Sequence, residues 1–243
     1  MNAPVLLIAI GNTRIKAMIC DRTFIRDCRE RDFSNHIIAT YAYTHDQIAE
    51  LIKHLDHQSF SLISIASVVP DLKTPWHDLP HTQIITTVDV PLEGLYRSMG
   101  CDRALAAFGA GELYGYPILV IDAGTAITLT AIDPYKKLIG GAIMAGLRSQ
   151  FAMLHENTAA LPMLMAPENL PNRWAIDTNS AIQTGIAHIL LMGLQAYIDE
   201  WRSQYPQGKV IMTGGDADYF QKWGLVIDVV DPNLIFWGMI KVL

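Results

Sequence analysis

The chain is poor in cysteine, in charge and in long apolar runs, and each shortage removes a class of protein. Its three cysteines, Cys20, Cys28 and Cys101, cannot all pair and show no metal-type spacing, which argues against a disulfide scaffold and suits a reducing cytoplasm. Charged residues are 17% of the sequence, 18 Lys and Arg against 24 Asp and Glu, for a net charge of −6. No basic cluster stands out, so the footprint of a nucleic-acid binder is missing and a small molecule is the expected partner. No stretch approaches the roughly 18 consecutive apolar residues of a membrane span. The first apolar run, Ala3 to Ile10, lacks a basic segment ahead of it and ends in Gly-Asn. It reads as a core strand and not as a secretory leader.

What the chain does have is an internal repeat. Leu7-Ile8-Ala9-Ile10-Gly11-Asn12-Thr13 near the start is echoed by Val120-Ile121-Asp122-Ala123-Gly124-Thr125. Aligning Gly11 with Gly124 sets Ala9 opposite Asp122. A strand ending in such a turn offers backbone N–H groups and a hydroxyl at close range, the parts of a polyphosphate cradle. At 243 residues, 51% of them hydrophobic, the chain fits two half-size α/β domains around sizeable cores.

The apolar patterning predicts strands at 4–10, 15–20 and 23–29, a helix over 45–54 opened by Thr44, and a strand over 61–69 stopped by Pro70. The stretch 74–80 reads as loop. Further on it predicts a helix from 103 with Asp102 as its N-cap, strands at 117–122, 126–133, 138–143 and 210–212, and helices at 146–157 and 178–202. The last of these carries an apolar face through Ile182, Ile186, Ile189, Leu190 and Leu194. Asp231-Pro232 begins a C-terminal helix with Pro in its first turn. Met144, Met153, Met163 and Met165 read as core filler, and His54 with His57 as a solvated helix face. Trp201, Trp223 and Trp237 read as residues that pack or line an interface.

Four constellations carry chemistry. Gly11-Asn12-Thr13 with Lys16 has the makings of a phosphate clamp, although a hairpin turn with a solvated lysine has the same composition. Asp122-Ala123-Gly124-Thr125 places a carboxylate at the end of a buried strand, where it wants a cation or hydrogen-bond donors. Gly100-Cys101-Asp102-Arg103, preceded by Tyr96, sets an acidic and a basic side chain side by side at a helix start: the carboxylate can take a proton from a hydroxyl nucleophile while the guanidinium grips an anion. A capping Asp beside a surface Arg is the plainer alternative. A carboxylate next to Cys101 raises the thiol pKa and argues against a cysteine nucleophile. Thr213-Gly214-Gly215-Asp216 is a glycine turn of the sort that accommodates a nucleoside.

Together these residues resemble the type III pantothenate kinases of the actin-like, acetate-and-sugar-kinase superfamily, over almost the whole chain. The first phosphate motif, Asp-x-Gly-Asn-Thr-x-x-Lys, matches Ala9 to Lys16 except at the Asp. Gly-x-Asp-Arg is Gly100 to Arg103, the second phosphate motif is Asp122 to Thr125, and Ser67-Val68-Val69-Pro70 matches a recurrent segment. Gly140-Gly141-Ala142-Ile143 with Gly146-Leu147 and Thr158 to Pro162 fits the middle pattern, with Ala145 where the family usually has Pro.

The resemblance implies two related actin-like (ribonuclease H-like) domains, 1–114 and 115–243, facing each other across a nucleotide-binding cleft. It implies ATP-dependent phosphorylation of pantothenate to 4'-phosphopantothenate, the first step of coenzyme A synthesis. Asp102 would be the general base. Tyr96, Gly100, Cys101, Asp102, Arg103 and Thr178 would hold pantothenate, with Arg103 on its carboxylate and Thr178 acting across a homodimer interface. Ala9, Ile10, Gly11, Asn12, Thr13, Arg14, Ile15, Lys16 and Thr125 would hold ATP, accompanied by Mg2+. Asp122 would bind a monovalent cation, K+ or NH4+. A cytoplasmic enzyme with no nucleic-acid or membrane partner is implied. Ala9 departs from the family pattern, which leaves a catalytically impaired binding or regulatory relative as the alternative.

Overall fold

Six consecutive apolar residues, Val5–Ile10, form β1, and burial on both faces explains why the run does not alternate with polar residues. The computed structural model describes residues 3–22, 34–55, 58–69 and 76–243. By its contacts the chain separates into two units, 1–113 with 233–243, and 114–232.

In the first unit β1 is the middle of a five-stranded sheet in the order β3-β2-β1-β4-β5. β2 (Arg14–Cys20) and β3 (Ile37–Thr44) run antiparallel, while β4 (Leu62–Ser67) and β5 (Thr82–Ile85) run parallel to β1. Leu6, Ile8 and Ile10 join Ile15, Ala17, Ile19, Ile63 and Ile65 in one core, closed by Leu51 and Leu55 of α1 (Ile48–Leu55). The two leucines lie four apart, hence on one helix face. One 3-10 turn, His45–Gln47, precedes α1, where the N–H and hydroxyl of Thr44 both donate to Gln47 Oε1, at 3.2 and 2.8 Å. Thr44 thus opens the helical stretch as expected.

α2 (Cys101–Tyr114) is small-residue-rich and buried nearly all round. It crosses α6 (Leu234–Val242) at Gly109 and Gly238. A Cβ on Gly109 would lie 2.5 Å from Gly238 N and Leu234 O, and one on Gly238 would run into the carbonyl of Leu105. Backbone meets backbone there, so neither position can give way.

The second unit repeats the topology: order β10-β9-β6-β7-β8, built from β6 (Ile118–Ala123), β7 (Ala126–Ile132), β8 (Leu138–Ala145), β9 (Lys209–Thr213) and β10 (Val229–Val230). Again the first three are antiparallel neighbours, and β9 and β10 are parallel. α3 (Leu147–Glu156) supplies Leu147 and Phe151, and α4 (Thr178–Gln204) supplies Ile186, Leu190, Leu194, Ile198 and Trp201, to a core with Leu119, Ile121, Ala123, Ile127, Leu129, Val210 and Met212. Each such side chain contributes about 1.5–3 kcal/mol when fully buried. By length and composition α4 is apolar enough to cross a membrane, but its apolar stripe faces this core. A short α5 (Ala217–Lys222) follows β9.

Several expectations change. Residues 233–243 return to the first unit, where α6 packs against β1, instead of continuing the second. α2 starts at Cys101, so Asp102 lies in its first turn and is not the N-cap. Asn233 precedes α6, which leaves Pro232 one residue outside the helix. Ile189 is 72% exposed and off the apolar stripe, and Met153, Met163 and Met165 are exposed, not core. Trp201, Trp223 and Trp237 are buried as read. The strand expected at 23–29, Pro70 and His57 lie outside the described residues, and β3, β5 and β10 had no counterpart in the sequence reading.

Candidate functional site

In each unit the chemistry-bearing residues gather at the carboxyl ends of the parallel strands, where open α/β sheets bind ligands. In the first unit β1, β4 and β5 point the same way, and the Gly11 turn, Val68-Val69 and the start of α2 follow them.

The Gly11 turn is a tight reversal in which Gly11 N–H donates to Arg14 O at 2.9 Å. Asn12, Thr13 and Arg14 are exposed and Lys16 is half-buried. Ile10 and Ile15 are core residues facing α1, so only their backbone is available to a ligand, and Ala9 is buried too. A Cβ on Gly11 would come no closer than 3.4 Å to Arg14 O. The fold has room for a side chain there, so the packing of the turn does not by itself require glycine. His45 Nε2 lies 2.9 Å from Gly11 O. A carbonyl only accepts, so Nε2 carries the proton and donates.

Gly100 to Arg103 forms a second cluster in this unit. The Arg103 N–H donates to Asp102 Oδ1 at 2.7 Å, and Arg103 Nη1 donates to Tyr96 OH at 2.8 Å. Arg103 is only 9% exposed, an unusual burial for a guanidinium. A Cβ on Gly100 would sit 2.5 Å from Asp102 Oδ1 and 3.6 Å from Val68 Cγ1, so glycine makes room for the carboxylate beside the end of β4. Burial pushes the Asp102 carboxyl above its ordinary value, against the pull of the Arg103 N–H and charge. A base that holds its proton more tightly is a better acceptor from a hydroxyl. Cys101 donates to Ile85 O at 3.5 Å and is pushed up to about 12 by burial, then by the Asp102 and Asp89 charges. It is a packing residue and no nucleophile.

In the second unit Asp122 is the fifth residue of β6, as Ala9 is of β1. Its cross-strand neighbours on the same face are Thr128 and Thr213. Thr125 is exposed at the turn, where its carbonyl accepts from Gly146 N at 2.9 Å and Ser149 Oγ at 2.7 Å. Gly214 (φ 96°) passes so close to Ala123 that a Cβ would strike its carbonyl. Asp216 donates its N–H to Ala123 O at 2.9 Å and pairs with Arg148 Nε at 3.1 Å. Gly215 also lines a surface pocket of about 400 Å3 with Glu168, Tyr219 and Lys222. Thr178 is the first residue of α4, behind Asp177, whose carboxylate accepts from Ser180 N at 3.0 Å.

The structure therefore joins Tyr96 and Gly100 to Arg103 in one cluster and Ala9 to Lys16 in one turn of the first unit. Asp122, Thr125 and Thr178 belong to the second. His45 and the Arg148–Asp216 pair were missed, since nothing in sequence links residues so far apart.

Against known proteins, a model of the type III pantothenate kinase family matches residues 5–200. The chain belongs to that family. Among curated relatives, the type III pantothenate kinase of Nostoc sp. (strain PCC 7120) is 45% identical over 186 residues, 72% of this chain and 67% of the relative. That of Synechococcus elongatus is 36% identical over 242 residues, covering 96% and 94%. Among solved structures, a Campylobacter jejuni protein described as a Baf family transcriptional activator has a TM-score of 0.64 at 21% identity, covering 98% of this chain and 96% of that one. An activator of 2-hydroxyisocaproyl-CoA dehydratase from Clostridium difficile with bound ADPNP has a TM-score of 0.52 at 11% identity, covering 98% and 92%. The fold is thus α/β and actin-like, one topology used twice.

The two turns of this pantothenate kinase family member differ in their fitness for a cation. Asp122, Thr128 and Thr213 present oxygen donors on one face, a set that suits a hard cation. The corresponding row in the first unit is Lys16, Ala9 and Ala66, two methyl groups and an ammonium, which does not. Among the described residues no group of three or more His, Cys, Asp or Glu is placed to hold a metal.

Proposed function

We propose that this chain transfers the γ-phosphoryl group of ATP to the primary hydroxyl of pantothenate, giving 4'-phosphopantothenate and ADP in the first step of coenzyme A synthesis. The observation that carries the site assignment is the Asp102–Arg103–Tyr96 cluster. A half-buried carboxylate with a raised pKa stands next to a buried guanidinium that Tyr96 holds in place.

On this reading the pantothenate hydroxyl oxygen attacks the γ-phosphorus, the bond from γ-phosphorus to the bridging oxygen breaks, ADP leaves, and Asp102 takes the hydroxyl proton. Arg103 forks onto the substrate carboxylate and fixes the hydroxyl near Asp102, an alignment worth much of the barrier in phosphoryl transfer. Gly100 keeps the approach to Asp102 clear. The Gly11 to Lys16 turn and Thr125 hold the phosphates. Asp122, with Thr128 and Thr213, would hold a monovalent cation, K+ or NH4+, whose positive charge offsets the phosphate charge; Mg2+ arrives with the nucleotide.

Ile189, Met192 and Tyr197 of α4 are exposed, with Trp174 and Ile176 just before it. Apolar exposure of this kind supports a homodimer, with Thr178 reaching the partner's pantothenate. We place the activity in the cytoplasm, which suits a chain whose three cysteines cannot all pair with one another.

The test is ADP release from ATP with and without pantothenate, in K+ and in Na+, on this chain and on Asp102→Asn. Pantothenate- and K+-dependent turnover that falls by about 10²–10⁴ in the variant is expected. Turnover that ignores pantothenate, or survives in the variant, overturns the assignment; bound pantothenate with no turnover makes the chain a binding relative.

A further inference from the structure

The row of side chains that includes Ala9 of the first sheet has no acid in it. Reading across the strands it runs Ala42, Lys16, Ala9, Ala66 and Ile85. The opposite face is settled by the core that holds Leu6, Ile8, Ile10, Ile15, Ala17, Ile19, Ile63 and Ile65, so Ala9, Lys16 and Ala66 share the other. Arg14, two residues before Lys16, lies on that face as well. Arg14 is exposed and Lys16 half-buried, and neither side chain makes an ion pair or hydrogen bond among the described residues. Two cations thus stand at this turn, with a methyl group at position 9 where the second unit carries the Asp122 carboxylate.

Resting on the kinase reading above, we infer that the first turn is a metal-independent polyanion clamp. Arg14 and Lys16 bind the nucleotide's phosphate oxygens directly, supplying the positive charge that a carboxylate-held divalent cation would otherwise bring. A half-buried ammonium with no anionic partner among the described residues can take a phosphate oxygen in a charge-assisted hydrogen bond. The Gly11 turn allows the approach, and the His45 bond to Gly11 O keeps its carbonyl turned away from the incoming anion. An acid at position 9 would be the direct cross-strand neighbour of Lys16 and would pair with it, quenching the clamp unless a divalent cation intervened. The absence of that acid is then a change of clamp and not a loss of one.

The test is calorimetric titration of the whole chain with ATP in EDTA and, separately, in Mg2+, with pantothenate titrated in both buffers. The unmodified protein is expected to bind ATP in EDTA within about tenfold of its affinity in Mg2+. Lys16→Gln should lose about tenfold or more in EDTA, the worth of one hydrogen bond to a charged group. Ala9→Asp should lose affinity in EDTA and recover it in Mg2+. Circular dichroism confirms that each variant is folded; Lys16→Gln, at a half-buried position, carries the test if the buried Ala9→Asp is not. ATP binding that requires Mg2+ overturns the clamp and leaves the kinase reading standing. Equal EDTA affinities of Lys16→Gln and the unmodified protein overturn it too. Binding of pantothenate but of no ATP in either buffer overturns both.

Discussion

The turns after β1 and β6 occupy the same place in the same topology, yet one is ringed by cations and methyl groups and the other by a carboxylate and hydroxyls. In both sheets the face that packs on helices is aliphatic without exception: Leu6, Ile8 and Ile10 in one, Leu119, Ile121 and Ala123 in the other. The alternate positions differ, with Ala9 beside Lys16 and Ala66 in the first sheet and Asp122 beside Thr128 and Thr213 in the second. A period of two separates the faces, so the core face stays aliphatic in both sheets while the other face changes near the strand end, where Ala9 is buried and Asp122 half-buried. A duplicated fold can therefore carry different charges at the same place in its two halves without disturbing either core.

The difference extends to how each turn is held. A side chain from beyond β3, His45, fixes the first at Gly11 O, whereas Gly146 and Ser149 fix the second at Thr125 O. Gly11 has space for a Cβ; Gly214, behind the second turn, has a positive φ and none.

The strongest way to sharpen this contrast is to add a methyl group to each. Gly214→Ala is expected to lose about 3 kcal/mol or more in urea unfolding, from φ strain added to a backbone clash. Gly11→Ala should stay within about 1 kcal/mol while raising KM for ATP. Equal losses would mean that both glycines serve the fold. Next, Asp122→Ala should lower kcat about a hundredfold through lost electrostatic stabilisation, whereas Ala9→Gly leaves kcat unchanged; a matching fall in both would erase the contrast between the turns. His45→Ala should raise KM for ATP about five-fold, the worth of one hydrogen bond, and His45→Gln, which keeps an N–H donor, should recover part of it.

The smallest effect concerns Asp102. Burial favours neutral Asp102, so its contribution to stability is full at acid pH and is lost as pH rises through its raised folded pKa. Asp102→Asn should then gain about 1 kcal/mol at neutral pH and nothing at acid pH, in paired thermal melts, even as its turnover falls. The acid limb of the kcat/KM profile should lie above the ordinary carboxylate range.

Much of this was legible in the chain. The repeat aligned Ala9 with Asp122, and both are the fifth residue of the central strand of their sheet. Local signals also gave the Thr44 start, the β6–β7–β8 meander and the Gly100–Arg103 cluster. What escaped depended on distant partners. β3 and β5 are edge strands with many exposed residues and weak apolar signals. Asp102 looked like a cap because Asp favours that place, but Gly100 leaves room for its carboxylate inside the first turn. The Gly109–Gly238 crossing and the His45 contact join residues that only tertiary packing makes neighbours, and no window of sequence contains both.

The return of α6 to β1 also makes the second unit an insertion within the first. On a ribosome, synthesis proceeds from the N-terminus and domains fold as their residues emerge. The unit that is completed first is therefore the later one in sequence, while β1 waits for α6 and Gly109 waits for Gly238. A chain stopped after Pro232 would carry an intact second unit and an uncovered first, exposing the surface against which α6 closes.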